Sequence, residues 1–233
     1  MKAEKKSRYI GWLTLAAGAL ISWLVWRFNH LDNDFNAYIT GNLLWLWFVP
    51  SLIILFLFNE DKGSFGMRMP ENPRVVWSVC AVLAVLTVMG SYLPSKLIPQ
   101  LQEYYPIFKH FREAENLFFS ANPFDMDLGR MVYAEVLYAM YIFAWEFFFR
   151  GFLTLGLARY FGLWGIMIQA VPFVLLHLGK PTVEVVLSGV GGLALGLAAY
   201  YCKSFLPGFV LHVCLFISID VWVSVVRSVG ISV

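Results

Sequence analysis

Glu146 and Arg150 stand four residues apart in the run FAWEFFFRG, whose other members are uncharged. Two histidines lie in similar surroundings: His177 in FVLLHLGKP and His212 in FVLHVCLF. The chain has four histidines in all, so half of them sit in apolar stretches. A carboxylate with two imidazoles in a low-dielectric site suits water activation. The carboxylate takes a proton from water as general base. The imidazoles hold the water, stabilise an oxyanion or bind a metal. Glu146, His177 and His212 are enough for a catalytic Zn2+ with an open position, and a metal-free glutamate mechanism is the other option. The spacing is not HExxH. Hydrolysis of a peptide bond inside a membrane is the reaction such parts support. A plainer reading stands beside it. Glu146 and Arg150, at i and i+4 on one helix face, pair to lower each other's insertion cost and do no chemistry.

These groups need elements to carry them, and the composition says which. Of 233 residues 60% are apolar and 14% charged, with a mean hydropathy of +0.69. A soluble domain carries about 25% charged residues. The chain therefore belongs to the polytopic membrane class, and an all-α bundle is expected. A net charge of +2 without a basic block speaks against a nucleic-acid partner. Cys80, Cys202 and Cys214 lie in apolar segments without a CxxC pair and read as buried hydrophobes.

A bilayer core of about 30 Å takes about 20 apolar residues per helix. Seven segments qualify, near Tyr9–Trp26, Tyr38–Phe58, Val75–Leu93, Met131–Ala158, Leu163–Leu178, Val183–Cys202 and Pro207–Val226. The opening MKAEKKSR followed by apolar residues reads as an uncleaved first span. One membrane domain, 1–233, then has three N-terminal spans (1–93), a long amphipathic connection (94–127) and the motif-bearing helices (128–233). Part of the connection is expected along the membrane surface, with an eighth, partly inserted helix there as the alternative. Lys2, Lys5, Lys6, Arg8, Lys62, Arg68, Arg74, Arg159 and Lys203 fall on one side. Asp32, Asp34, Glu103, Glu113, Glu115, Asp125 and Asp127 fall on the other. Basic loops favour the cytoplasm, which places the N-terminus inside.

Spacing also predicts heights. Glu146 and His177 are 31 residues apart around a turn near Phe161–Gly162. Each then lies ~23 Å up its own helix, level with the other and past mid-membrane toward the outside. His212 follows Lys203 too closely, at only ~14 Å from that side, and tilt or an unwound start at Pro207 must absorb the difference. Ser188, Gly192 and Gly196 recur every fourth residue, which lets the sixth helix pack tightly.

At these residues the sequence resembles the CPBP family of intramembrane proteases, which includes the CAAX prenyl proteases and the bacterial Abi-type bacteriocin-immunity proteins. The family pattern is EExxxR, then FxxxH, then HxxxN or a similar residue. The chain reads WEFFFR at Trp145–Arg150, FVLLH at Phe173–His177 and HVCLF at His212–Phe216. The resemblance covers roughly Met131 to Asp220. It implies catalytic roles for Glu146, Arg150, His177 and His212, in an endopeptidase acting on membrane-anchored or lipidated protein substrates. Trp145 replaces the first family glutamate, and Phe216 replaces the asparagine-like residue. Either Glu146 takes the base role, or the chain is a non-catalytic immunity or scaffold protein of the same fold. A bacterial subset with EFFFRG and HLGKPxxE is similar, which makes Glu184 a second candidate carboxylate and implies a bacterial inner membrane. Asp220, about two turns after His212, is a further candidate.

Overall fold

The computed structural model describes residues 2–30, 34–112 and 128–228. Among these residues it is helical without strands. Six helices are long and apolar enough to cross a membrane, and a seventh is shorter. They are α1 (Lys2–Phe28), α2 (Phe35–Leu57), α3 (Pro73–Gly90), α4 (Gly129–Phe161), α5 (Trp164–Leu175), α6 (Thr182–Cys202) and α7 (Leu206–Ser228). The seven apolar segments correspond to these helices one for one. The fifth differs in length. Its 12 residues span only ~18 Å. Pro172 lies inside it, and the chain turns non-helical before His177.

α4 is the central element. Of its most apolar window 72% is buried, against 11% for α3, so α4 carries the interior and α3 the periphery. From Phe147 to Leu155 its turns widen to π-helical. Phe147, Phe148, Phe149 and Phe152 are fully buried there. Consecutive buried rings require neighbours on every side, and α1, α2, α5, α6 and the 62–66 loop supply them. α3 and α7 run parallel in fixed register. Cys80 Sγ donates to the Pro207 carbonyl at 3.6 Å and Ser91 meets Ser218 at 2.8 Å, both pairs 127 residues apart.

Lys6, Arg68, Arg159 and Lys203 stand at one end of the bundle, and Lys109, Lys180 and Arg227 at the other. Lys6 pairs with Glu60 at 2.6 Å, and Arg159 with the same carboxylate at 3.3 Å. Arg68 donates to the Lys203 carbonyl at 3.2 Å. The grouping expected from loop charge is thus present at the end bearing the N-terminus. At the opposite end, Asp32, Glu113, Glu115, Asp125 and Asp127 lie outside the described residues.

The connection after α3 does more than lie on a surface. Its described part buries Tyr105, Ile107, Phe108 and Phe111 against the helix ends. Three bonds hold it. Thr182 N donates to Gln100 Oε1 at 3.0 Å, Tyr105 Oη to Glu184 Oε2 at 2.8 Å, and Ile107 N to Asp220 Oδ1 at 3.2 Å. Burial, with the Glu184 carboxylate alongside, pushes the Tyr105 phenol well up, so it remains a donor. Residues 113–127 of the connection, where an inserted helix was an alternative, lie outside the described part.

The height expected for His212 changes with the position of one turn. The 203–205 turn does not sit level with Phe161. Phe205 is buried 5.3 Å from Phe143 and 5.7 Å from Phe147, ring centre to ring centre, far up α4. Gly151 permits this, because a Cβ there would stand 2.6 Å from the Phe65 carbonyl oxygen. His212 therefore begins its climb from near the level of Gly151, where the Phe205 N–H bonds to the Gly66 carbonyl, and the missing height disappears.

Candidate active site

Glu146 is fully buried where α4 meets the start of α7. Its Oε1 lies 2.9 Å from His212 Nδ1, and its Oε2 lies 3.4 Å from Arg150 Nε. Gly208, two residues into α7, lies behind the carboxylate; a Cβ there would come within 3.1 Å of Oε2. Two helices thus place one carboxylate between a guanidinium and an imidazole. The i,i+4 spacing on α4 supplies the first contact and the glycine on α7 the second.

An ionised carboxylate only accepts, so His212 Nδ1 donates to it and Nε2 is left with a lone pair in the neutral ring. His212 is the site member with access to the surroundings, at 23% side-chain exposure against 0% for Glu146 and Arg150. Arg150 lies with its Cζ 4.0 Å from the centre of the Phe173 ring, a stacking geometry that suits a planar cation. Its N–H groups make no hydrogen bond to the described residues, leaving the ion pair as its polar contact.

His177 approaches from α5. Its Nδ1 is 2.7 Å from the Phe173 carbonyl oxygen. That carbonyl is free because the His177 backbone N–H bonds to Val174 instead. A carbonyl only accepts, so Nδ1 carries the proton and Nε2 is an acceptor. The ring packs 5.7 Å from Trp145 and 4.5 Å from Phe173. Phe173 thus touches both His177 and Arg150, and Trp145 joins His177 to the residue before Glu146. The contact between α4 and α5 at this height agrees with the level expected from the Phe161–Gly162 turn.

Glu146, Arg150 and His212 are therefore in direct contact, with His177 adjoining through the two aromatic rings. Glu184 and Asp220 belong to other contacts. Glu184 takes Lys180 at 2.6 Å and Tyr105 at 2.8 Å. Asp220 is buried under the connection and accepts from Ile107. Among the described residues no group of three or more His, Cys, Asp and Glu side chains is placed to hold a metal ion. Glu146, His177 and His212 do not form such a group.

Several contributors were not singled out in the sequence. Asn42 on α2 accepts from Trp145 Nε1 at 3.3 Å and donates to the Tyr38 carbonyl at 2.9 Å. It anchors the residue that stands where the family pattern has glutamate. An amide inside YITGNLLWLW was the available signal, since a lone Asn in an apolar span needs a partner. Phe216, at the asparagine-like position, stacks on Tyr138 at 4.0 Å. Phe173 as a cation platform and Gly208 as a backing for the carboxylate have no signal in a single sequence.

Residues 129–216 match the family model described as type II CAAX prenyl endopeptidase, Rce1-like. No curated protein and no solved structure matches the chain. The matched segment runs from the start of α4 into α7 and contains every motif that carries the CPBP resemblance, which is borne out over these residues. α1, α2 and α3 lie outside it.

Proposed function

We propose that this integral membrane protein is an intramembrane endopeptidase of the CAAX-protease type, in which Glu146 activates water against a peptide bond of a membrane-anchored or lipidated protein. The observation that carries the reading is the buried Glu146 carboxylate held by His212 and Arg150 from two helices. Glu146 takes a proton from water as the water oxygen attacks the scissile carbonyl carbon. The same proton then passes to the leaving amine as the C–N bond breaks. His212 Nδ1–H fixes the carboxylate's orientation. His177 Nε2, an acceptor, suits the second hydrogen of the water rather than an oxyanion. The positive charge on Arg150, with N–H groups not engaged by protein acceptors, is the group suited to the developing negative charge. Trp145 and Phe173 wall the site and exclude competing water.

The test is cleavage of a membrane-anchored peptide substrate by reconstituted protein. Glu146→Gln keeps shape and removes the base. A loss of about 10²–10⁴-fold is expected, with insertion and helicity unchanged. Undiminished cleavage by that variant overturns the reading. A second reading, a non-catalytic immunity or scaffold protein, draws on Phe216, whose ring fills its place by stacking on Tyr138 where a polar group would face the site.

The N-terminus is proposed to face the cytoplasm of a bacterial inner membrane. The support is the gathering of Lys6, Arg159, Arg68 and Lys203 at one end.

A further inference from the structure

α6 and α7 meet at the 203–205 turn and part above it. Near the turn they touch: a Cβ on Gly208 would stand 3.6 Å from Leu195. Leu215 lies on the same face of α7 as Gly208, two turns higher, and is 40% exposed, so α6 no longer covers that face there. Between these levels, one turn above the Leu195–Gly208 contact, Gly191 of α6 looks toward His212 of α7. A Cβ on Gly191 would meet no atom within 4 Å. Leu187, on the rim, is exposed. The upper limit is the connection. Tyr105 bonds Glu184 of α6 at 2.8 Å, and its ring lies 6.3 Å from that of Phe216 on α7. From Glu184 to Leu195 is 11 residues, ~16.5 Å along α6. The two helices thus frame a window onto the bilayer, closed at one end by Leu195 against Gly208 and at the other by the Tyr105–Glu184 bond.

The window has a polar floor. Glu146 and Arg150 are sealed, but the His212 side chain is 23% exposed. Its Nδ1–H is given to Glu146. Nε2, on the far edge of the ring, has no partner among the described residues and is not closed off by them. In the neutral ring it is an acceptor, so it calls for an N–H or O–H donor. Acyl chains and ester carbonyls carry none. A helical peptide has its N–H groups bonded within the helix, whereas an extended one has them free. Resting on the protease reading, we propose that the scissile segment of the substrate enters between α6 and α7 in extended form, lies across Gly191 and gives a backbone N–H to His212 Nε2. At about 3.3 Å per residue the window takes about five residues. Gly191 determines specificity, because a side chain there occupies the space of the peptide backbone.

The probe is a fluorescent farnesylated peptide with a C-terminal CAAX sequence, presented to the full-length protein in proteoliposomes. Gly191→Phe should lower kcat/KM by about 10–100-fold, carried by KM, because Glu146 and His212 are untouched. Val190→Phe, at an exposed position turned away from α7, should cleave as wild type does. Leu215→Trp narrows the window from α7 and serves if Gly191→Phe folds poorly. Photocrosslinking reads binding apart from cleavage. In the Glu146→Gln background, benzoylphenylalanine in place of Leu187 should capture the probe, and in place of the exposed Val171 on α5 should not. N-methylation of the backbone amides across the scissile segment should weaken capture by about fivefold. A probe that wild type, Gly191→Phe and Leu215→Trp all cleave equally well overturns the proposal and leaves the protease reading standing. Capture at Leu187 of a probe that wild type does not cleave overturns the protease reading and supports the window as a peptide site. Equal capture at both positions, or N-methylation without effect, overturns the proposal.

Discussion

A buried carboxylate keeps its charge only if its neighbours replace water, and for Glu146 those neighbours are His212 and Arg150. The same logic applies one residue earlier. Trp145 Nε1 is buried and depends on Asn42 Oδ1. Asn42→Ala leaves that donor unmet and should lower stability by about 1–3 kcal/mol, read by thermal unfolding in detergent. Activity should fall as well, because Trp145 packs on His177. An unchanged midpoint and rate would show that the bond is idle. The charged and imidazole members of this contact set were legible in the sequence, because polar groups are so rare in its spans. Their partners were not. Asn42 speaks only through Trp145, 103 residues away, and no spacing rule joins them. Glu184 and Asp220 were legible as polar residues in spans, but not as anchors for the connection, since Tyr105 and Ile107 lie on a segment without helical period.

Among elements, the central relation is the close approach of the 62–66 loop and the 203–205 turn to α4. Gly151 makes it possible. Gly151→Ala puts a Cβ 2.6 Å from a backbone oxygen that cannot swing aside. A loss of roughly 1–3 kcal/mol is expected from such overpacking, measurable as a lower thermal midpoint. The displaced 62–66 loop holds the Phe205 N–H through the Gly66 carbonyl, and the 203–205 turn leads directly into Gly208 and His212, so cleavage should fall with it. A variant of wild-type stability would mean that the turn sits elsewhere. The seven apolar segments were readable from hydropathy alone. The shortness of α5 was partly visible in Pro172 and Gly179. The height of the 203–205 turn was not, because hydropathy fixes which residues are in the membrane and says nothing of how far neighbouring helices are offset.

At the scale of the whole molecule, Glu60 ties two distant helices together at the end bearing the N-terminus, through Lys6 of α1 and Arg159 of α4. The Lys6 ammonium bonded to Glu60 holds its carboxyl below the usual range, with Arg159 adding to the effect. A carboxyl lowered on folding binds fewer protons folded than unfolded, so stability rises with pH through that window. The contribution is present above the unfolded value near 4.5 and is lost as pH falls through the folded one. Glu60→Gln should therefore cost a few tenths to about 1 kcal/mol near neutral pH, and the gap to wild type should close in acid. Added salt should narrow it too. A gap that widens in acid would contradict the sign.

The central claim is that Glu146 and His212, on different helices, act as one unit on water. A double-mutant cycle on cleavage rate tests it directly, with Glu146→Gln, His212→Phe and the pair of them, all in proteoliposomes. Each single variant should lose about 10²–10⁴-fold, and the double variant should be about as slow as the slower single, since the second change removes nothing more. Losses that multiply, or cleavage that survives either single change, would contradict it.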